Sequence, residues 1–150
     1  MSLEEKVMAE MKEAMKSKDE PTLRGLRAIK AEIIKAKTEP GSGGTVSAEG
    51  ELKLLQKLVK SRKDSLEIYN QQNRADLAKK EEEEIAVIEK FLPKQLGESE
   101  IREKVQAAIA ETGAAGPQDM GKVMGVVTKQ LAGQADGKVI SAIVKELLAK

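Results

Sequence analysis

Apolar residues in this chain recur at intervals of three and four and nowhere alternate with polar ones, a spacing that builds helices and leaves no material for a sheet. The first run, Leu3, Val7, Met8, Met11, Ala14 and Met15, follows the capping-box pair Ser2 and Glu5 and predicts a helix to about Ser17. Asp19 caps a second helix with Pro21 in its first turn, where a missing N–H costs nothing, and with the stripe Leu26, Ile29, Ile33, Ala36. Between Thr38 and Thr45 the periodicity is lost, and Thr-Glu-Pro-Gly-Ser-Gly-Gly-Thr predicts a mobile loop. Ser47 caps a third helix, with Leu52, Leu55, Val59, Leu66 and Tyr69 on one face, that ends near Asn73. A fourth carries Leu77, Ile85, Ile88 and Leu92, and Pro93 stops it. Three shorter helices fall at about 98–112, 117–131 and 137–149, punctuated by Gly113, by Gly116 with Pro117, and by Gly133 through Gly137. The expected fold is therefore all-α: a four-helix N-terminal domain over 1–95, then a small three-helix domain over 96–150, with a core of Leu, Ile, Val, Met and Ala.

Composition removes whole classes of chemistry. The chain has no His, Cys or Trp, and its only aromatics are Tyr69 and Phe91, which excludes imidazole bases, thiol nucleophiles, thiolate or imidazole metal sites and disulfides. No serine–lysine constellation or nucleotide loop is visible, so no catalytic residue, metal or cofactor is expected. Gly133 to Lys138 departs from a phosphate loop, because Ala132 stands where the first glycine belongs and Val139 where Ser or Thr belongs. It reads instead as a helix end at Gly133 followed by an Asp136 N-cap. The run Glu81 to Glu84 reads as a solvated helix, since consecutive helical residues point about 100° apart and cannot converge on one cation. Gly121 and Gly125 read as a small-residue groove for close helix packing. With no apolar h-region after Met1-Ser2-Leu3-Glu4-Glu5 and no run of 18 apolar residues, neither a secretory signal nor a membrane span is expected, and a cytoplasmic protein is.

The net charge of +1 conceals 26 basic and 25 acidic residues, so any electrostatic function must come from local patches. Residues 53–74 hold six basic and two acidic side chains and 76–89 hold six acidic and two basic ones, as expected of two antiparallel helices that complement each other. Lys53, Lys57 and Lys60 form a basic stripe that reads as a solvated face or as a phosphate contact. Arg62 continues the apolar series of its helix and Glu81 interrupts that of the next, predicting an Arg62–Glu81 pair with Glu84 as substitute. In the tail, Lys122 and Lys129 on one helix and Lys138 and Lys145 on the next would surround two helix N-termini, at Pro117 and Gly137, as an anion site.

Five segments, Lys60-Ser-Arg-Lys-Asp-Ser65, Asn73-Arg-Ala-Asp-Leu-Ala78, Phe91-Leu-Pro-Lys-Gln-Leu96, Asp119-Met-Gly-Lys-Val-Met124 and Ala135-Asp-Gly-Lys138, resemble the YqeY family in order and spacing over nearly the whole chain. That family is similar to the tail domain of the B subunit of the glutamyl/aspartyl-tRNA amidotransferase, and a related helical appendage precedes some glutaminyl-tRNA synthetases. The resemblance implies a four-helix domain followed by a small helical one. It also implies contact with the outer corner of tRNA through Arg27, Arg62, Lys63, Arg74, Lys122 and Lys138, to which helical spacing adds Lys129 and Lys145. The loop departs from the family pattern at Gly41 to Gly44 and is given no role.

Three functions follow. The first is a non-catalytic tRNA-binding module that reads shape and backbone, suited to a chain with two aromatics and hence no stacking platform. The second is a helical adaptor for a protein partner in translation or tRNA-dependent amidation, which an exposed apolar patch would favour. The third is an accessory of a carbon–nitrogen ligase, inactive alone. No membrane or metal is an expected partner.

Overall fold

The computed structural model describes residues 2–149, and the described residues form helices and no strand. The chain divides between Leu92 and Pro93 into two compact units. The first holds α1 (Leu3–Ser17), α2 (Glu20–Thr38), α3 (Ala48–Gln71) and α4 (Ala75–Glu89). The second holds α5 (Glu98–Thr112), a 3-10 turn at Pro117–Asp119, α6 (Met120–Gln130) and α7 (Gly137–Leu148).

Polar side chains start the first three helices where the sequence places them. Ser2 Oγ accepts from the Glu5 N–H at 3.2 Å, Asp19 Oδ1 from Thr22 at 3.3 Å and Ser47 Oγ from Gly50 at 3.0 Å, each satisfying a donor the helix cannot. Lys18 closes α1 in the left-handed region, at φ 58°. α1 and α2 then pack antiparallel, as the Lys37 Nζ to Glu4 Oε1 contact of 3.1 Å joins the last turn of one to the first of the other. The loop after α2 is built from turns around Ser42, whose hydroxyl donates to Lys37 O at 2.7 Å and accepts from Gly44 N–H at 3.2 Å. α3 and α4 form a second hairpin, turning through Asn73 at φ 57°.

The two hairpins meet where α2 crosses α4. A Cβ placed on Gly25 would stand 2.8 Å from Val87 Cβ, so only glycine permits this approach. Around the crossing Val7, Leu26, Ile29, Leu55 and Ile88 are fully buried. Two expectations are corrected here. Met8 and Met15, assigned to the core stripe, are 47% and 53% exposed, because the buried face of α1 is the narrower Leu3, Val7, Ala14 strip. α4 ends at Glu89 rather than at Pro93. Lys90, Phe91 and Leu92 each bond back three residues, to Val87, Ile88 and Glu89, tightening the chain before a proline that disfavours helical backbone at Leu92.

The second unit has its own core of Val105, Val123, Val127, Leu131, Ile140 and Val144. Its entry segment is tied down by Leu96 N–H donating to Gln134 O at 2.9 Å and by Gln95 Nε2 donating to Gly133 O at 2.7 Å. The helix expected from 117 begins as a 3-10 turn, and α6 proper starts at Met120. The packing role expected of Gly121 and Gly125 is also corrected. Both are exposed and a Cβ on either meets nothing within 4 Å, because α6 turns Val123 and Val127, on its other side, to the core.

Candidate nucleic-acid interface

The acidic face of α4 is not a bare solvated run, as its sequence suggests. Glu83 Oε2 lies 3.2 Å from Arg24 Nη2 on α2, and Glu84 Oε1 lies 3.9 Å from Arg62 Nη2 on α3, so two adjacent glutamates tie α4 to two different helices. Residues about 100° apart cannot share one ion, but they can hold two partners on two sides. The partner of Arg62 is thus Glu84, the named substitute, one helical step beyond the predicted Glu81. Arg62 Nη1 also donates to Leu58 O at 3.2 Å. The Nε atoms of Arg24 and Arg62 are buried without a hydrogen-bond partner. Glu81 stays half-buried beside this pair, and its carboxyl is pushed above the usual glutamate range, first by burial and then by the Glu84 charge, against the pull of Arg62. Arg24 was missed by sequence reasoning, since it falls on the polar side of α2.

Of the remaining cations of the first unit singled out in the sequence, Lys53, Lys63 and Arg74 are engaged and Arg27, Lys57 and Lys60 are not. Lys63 Nζ lies 3.5 Å from Glu89 Oε1, a second α3–α4 tie. Arg74, at the N-cap of α4, holds Asp76 through two hydrogen bonds, Nε to Oδ1 at 3.2 Å and Nη2 to Oδ2 at 3.1 Å. That fork lowers the Asp76 pKa and raises that of Arg74. Lys53 of the basic stripe pairs with Glu49 at 3.2 Å, whereas Lys57 and Lys60 are exposed and unpaired. Arg27 on α2 is exposed and unpaired as well.

In the second unit Arg102 ties α5 to α7 through Glu146, and the cations of 117–149 are all unengaged. Lys122, Lys129, Lys138 and Lys145 are all exposed, and none of their ammonium groups has a partner. Every carboxylate of 117–149 is taken: Asp119 Oδ2 accepts from Ala115 N–H at 2.9 Å, Asp136 Oδ1 from Lys138 N–H at 2.9 Å, and Glu146 Oε2 from Arg102 Nη2 at 2.7 Å. The proposed ring around two helix N-termini is corrected by this geometry. Lys129 and Lys145 lie in the last turns of α6 and α7, about 10 Å along the axis from Lys122 and Lys138, and Asp136 already caps α7. What remains is a row of cations along two helices.

No group of His, Cys, Asp and Glu suited to a metal occurs among the described residues, and no helix there is long and apolar enough to cross a membrane. A cleft of about 330 Å³ bounded by Leu3, Lys6, Glu51, Leu52, Leu55 and Phe91 has its carboxylate occupied, as Glu51 Oε2 accepts from the Leu3 N–H at 2.9 Å.

The model of the family described as Yqey-like protein matches residues 4–148. A protein of Pyrenophora tritici-repentis named "Altered inheritance of mitochondria protein 41, mitochondrial" is 36% identical over 147 residues, covering 95% of this chain and 79% of that one. A protein of the same name from Lachancea thermotolerans is 34% identical over 113 residues, covering 72% of this chain and 58% of its own length. Both names carry a mitochondrial address, which overturns the cytoplasmic expectation. That expectation rested on the absence of a secretory h-region and a membrane span, features that bear on secretion and insertion and not on organelle import.

Proposed function

The chain belongs to the YqeY family, and from that premise we propose that it is a non-catalytic RNA-binding module whose second unit contacts the backbone of tRNA. One observation carries this reading: over 117–149 the carboxylates are spent on a loop N–H, on the cap of α7 and on Arg102, while Lys122, Lys129, Lys138 and Lys145 are free. A free surface lysine meets a phosphate at the cost of its own hydration alone, and the counterions released drive binding. Lys63 and Arg74 would first have to surrender a carboxylate, so they rank below the four lysines. Arg27 is free but belongs to the first unit. With Tyr69 as one aromatic and Phe91, half-buried, as the other, contact through backbone and shape fits better than base stacking.

The test is fluorescence anisotropy with labelled total tRNA, and with organellar tRNA beside it because the relatives are named mitochondrial. Four phosphate contacts give a logarithmic salt slope of roughly −2.8 to −3.6 between about 50 and 200 mM. Lys122→Glu with Lys138→Glu should cut affinity about tenfold or more, as two lost phosphate contacts become two repulsions. Binding that is absent at low salt, or that both substitutions leave intact, would overturn the proposal.

A further inference from the structure

The outer face of the α1–α2 hairpin presents apolar side chains that the fold does not use. Met8 and Met15, seven residues apart on α1, are 47% and 53% exposed, and Ile34 on α2 is 48% exposed. Arg27 and Ile34 are likewise seven apart on α2, with Lys30 between them, so each helix shows one continuous stripe. The Glu4–Lys37 pair sets the start of α1 beside the end of α2, so Met8 and Ile34, each about one turn in from it, lie toward the same end of the hairpin, and Lys30, Arg27 and Met15 follow toward its turn. Lys12, Arg27 and Lys30 have no ion-pair partner, while Glu4 is neutralised by Lys37 and Glu5 lies at the far end of the ridge. The face therefore has an apolar centre and a cationic rim.

We propose that this face, Met8, Met15 and Ile34 rimmed by Lys12, Arg27 and Lys30, docks an acidic amphipathic helix of a partner protein. Two antiparallel helices leave a groove along which a third can lie, and such grooves take apolar anchors at helical spacing. Methionine suits the role because its flexible, polarisable side chain adapts to the shape of an anchor. Charge complementarity selects the partner, since flanking Glu or Asp would meet three unpaired cations. An anionic membrane fits less well, because the face has no aromatic side chain to seat in an interface and fewer cations than the clusters of about four to eight typical of lipid recognition. The surface lies within the first unit and does not depend on the lysines of 117–149.

The experiment titrates the full chain into two labelled amphipathic peptides of about five helical turns, identical in their leucine face and flanked by Glu in one and Lys in the other. Vesicles containing phosphatidylglycerol form a third arm. The acidic peptide is expected to bind and the basic one not. Met8→Gln with Met15→Gln should weaken binding about tenfold or more, as should Arg27→Glu with Lys30→Glu, with the helical circular dichroism unchanged. Met8, Met15 and Arg27 are exposed and Lys30 is half-buried, so Arg27→Glu alone serves as the second charge variant should the double one lose helical signal. Equal binding of both peptides, indifference to the substitutions, or vesicle binding without peptide binding would each overturn the proposal. The methionine pair should leave tRNA binding unchanged, so failure here and failure of the RNA reading separate cleanly.

Discussion

Arg62 was legible because it stood where a leucine belonged, and a cation on an apolar stripe demands a partner on the facing helix. Which partner was not legible, as Glu81 and Glu84 lie one turn apart on the same face and only the packing of α3 on α4 selects the second. Removing Arg62 leaves Glu84 and the half-buried Glu81 without their cation. Arg62→Ala should therefore cost about 1–3 kcal/mol, discounted from a fully buried pair because both side chains retain some exposure, and urea unfolding measures it. Glu81 behaves in the opposite sense. Its carboxyl is more easily protonated in the folded chain, so the fold bears no cost below the ordinary glutamate value of about 4.3 and loses stability as pH rises through and beyond it. Glu81→Gln should thus match the parent near that pH and exceed it at neutral pH. A gain that does not vary with pH would refute the assignment.

Helix starts were the most readable elements, because Ser2, Asp19 and Ser47 each announce themselves by a short side chain ahead of an apolar run. Helix faces were less so: the methionines of α1 fit the stripe by spacing, yet hydrophobicity alone does not say how wide the buried strip is. The glycines were least readable. In sequence Gly121 and Gly125 read as a packing motif and nothing singles out Gly25, whereas in the structure α4 presses on Gly25 and open space lies over the other two. Gly25→Ala should lower stability by about 1–3 kcal/mol despite its better helix propensity, and a simultaneous Val87→Ala should recover only part of that loss, since it deletes Cγ1, 2.8 Å from the new Cβ, but keeps the Val87 Cβ at the same distance. Gly125→Ala, which strikes nothing, should instead stabilise by about 0.5–1 kcal/mol in the same urea series.

At the scale of the molecule, cations serve two different ends. In the first unit, Arg24, Lys37, Arg62 and Lys63 bind helices to one another, while the lysines of 117–149 bind nothing within the chain. Net charge conceals this contrast, which emerges only when each cation is assigned its partner. Each unit also buries its own apolar cluster. Residues 1–92 and 93–150, produced separately, should therefore each give helical circular dichroism and a cooperative urea transition. The second, of 58 residues, should be the less stable, since a chain near that length buries only about 60% of its unfolded surface. If its lysines serve binding alone, reversing Lys122 and Lys138 in that fragment should move its unfolding by no more than about 0.5 kcal/mol while cutting its affinity for tRNA about tenfold or more. A fragment that stays unfolded without the first unit would instead make the two cores one cooperative structure.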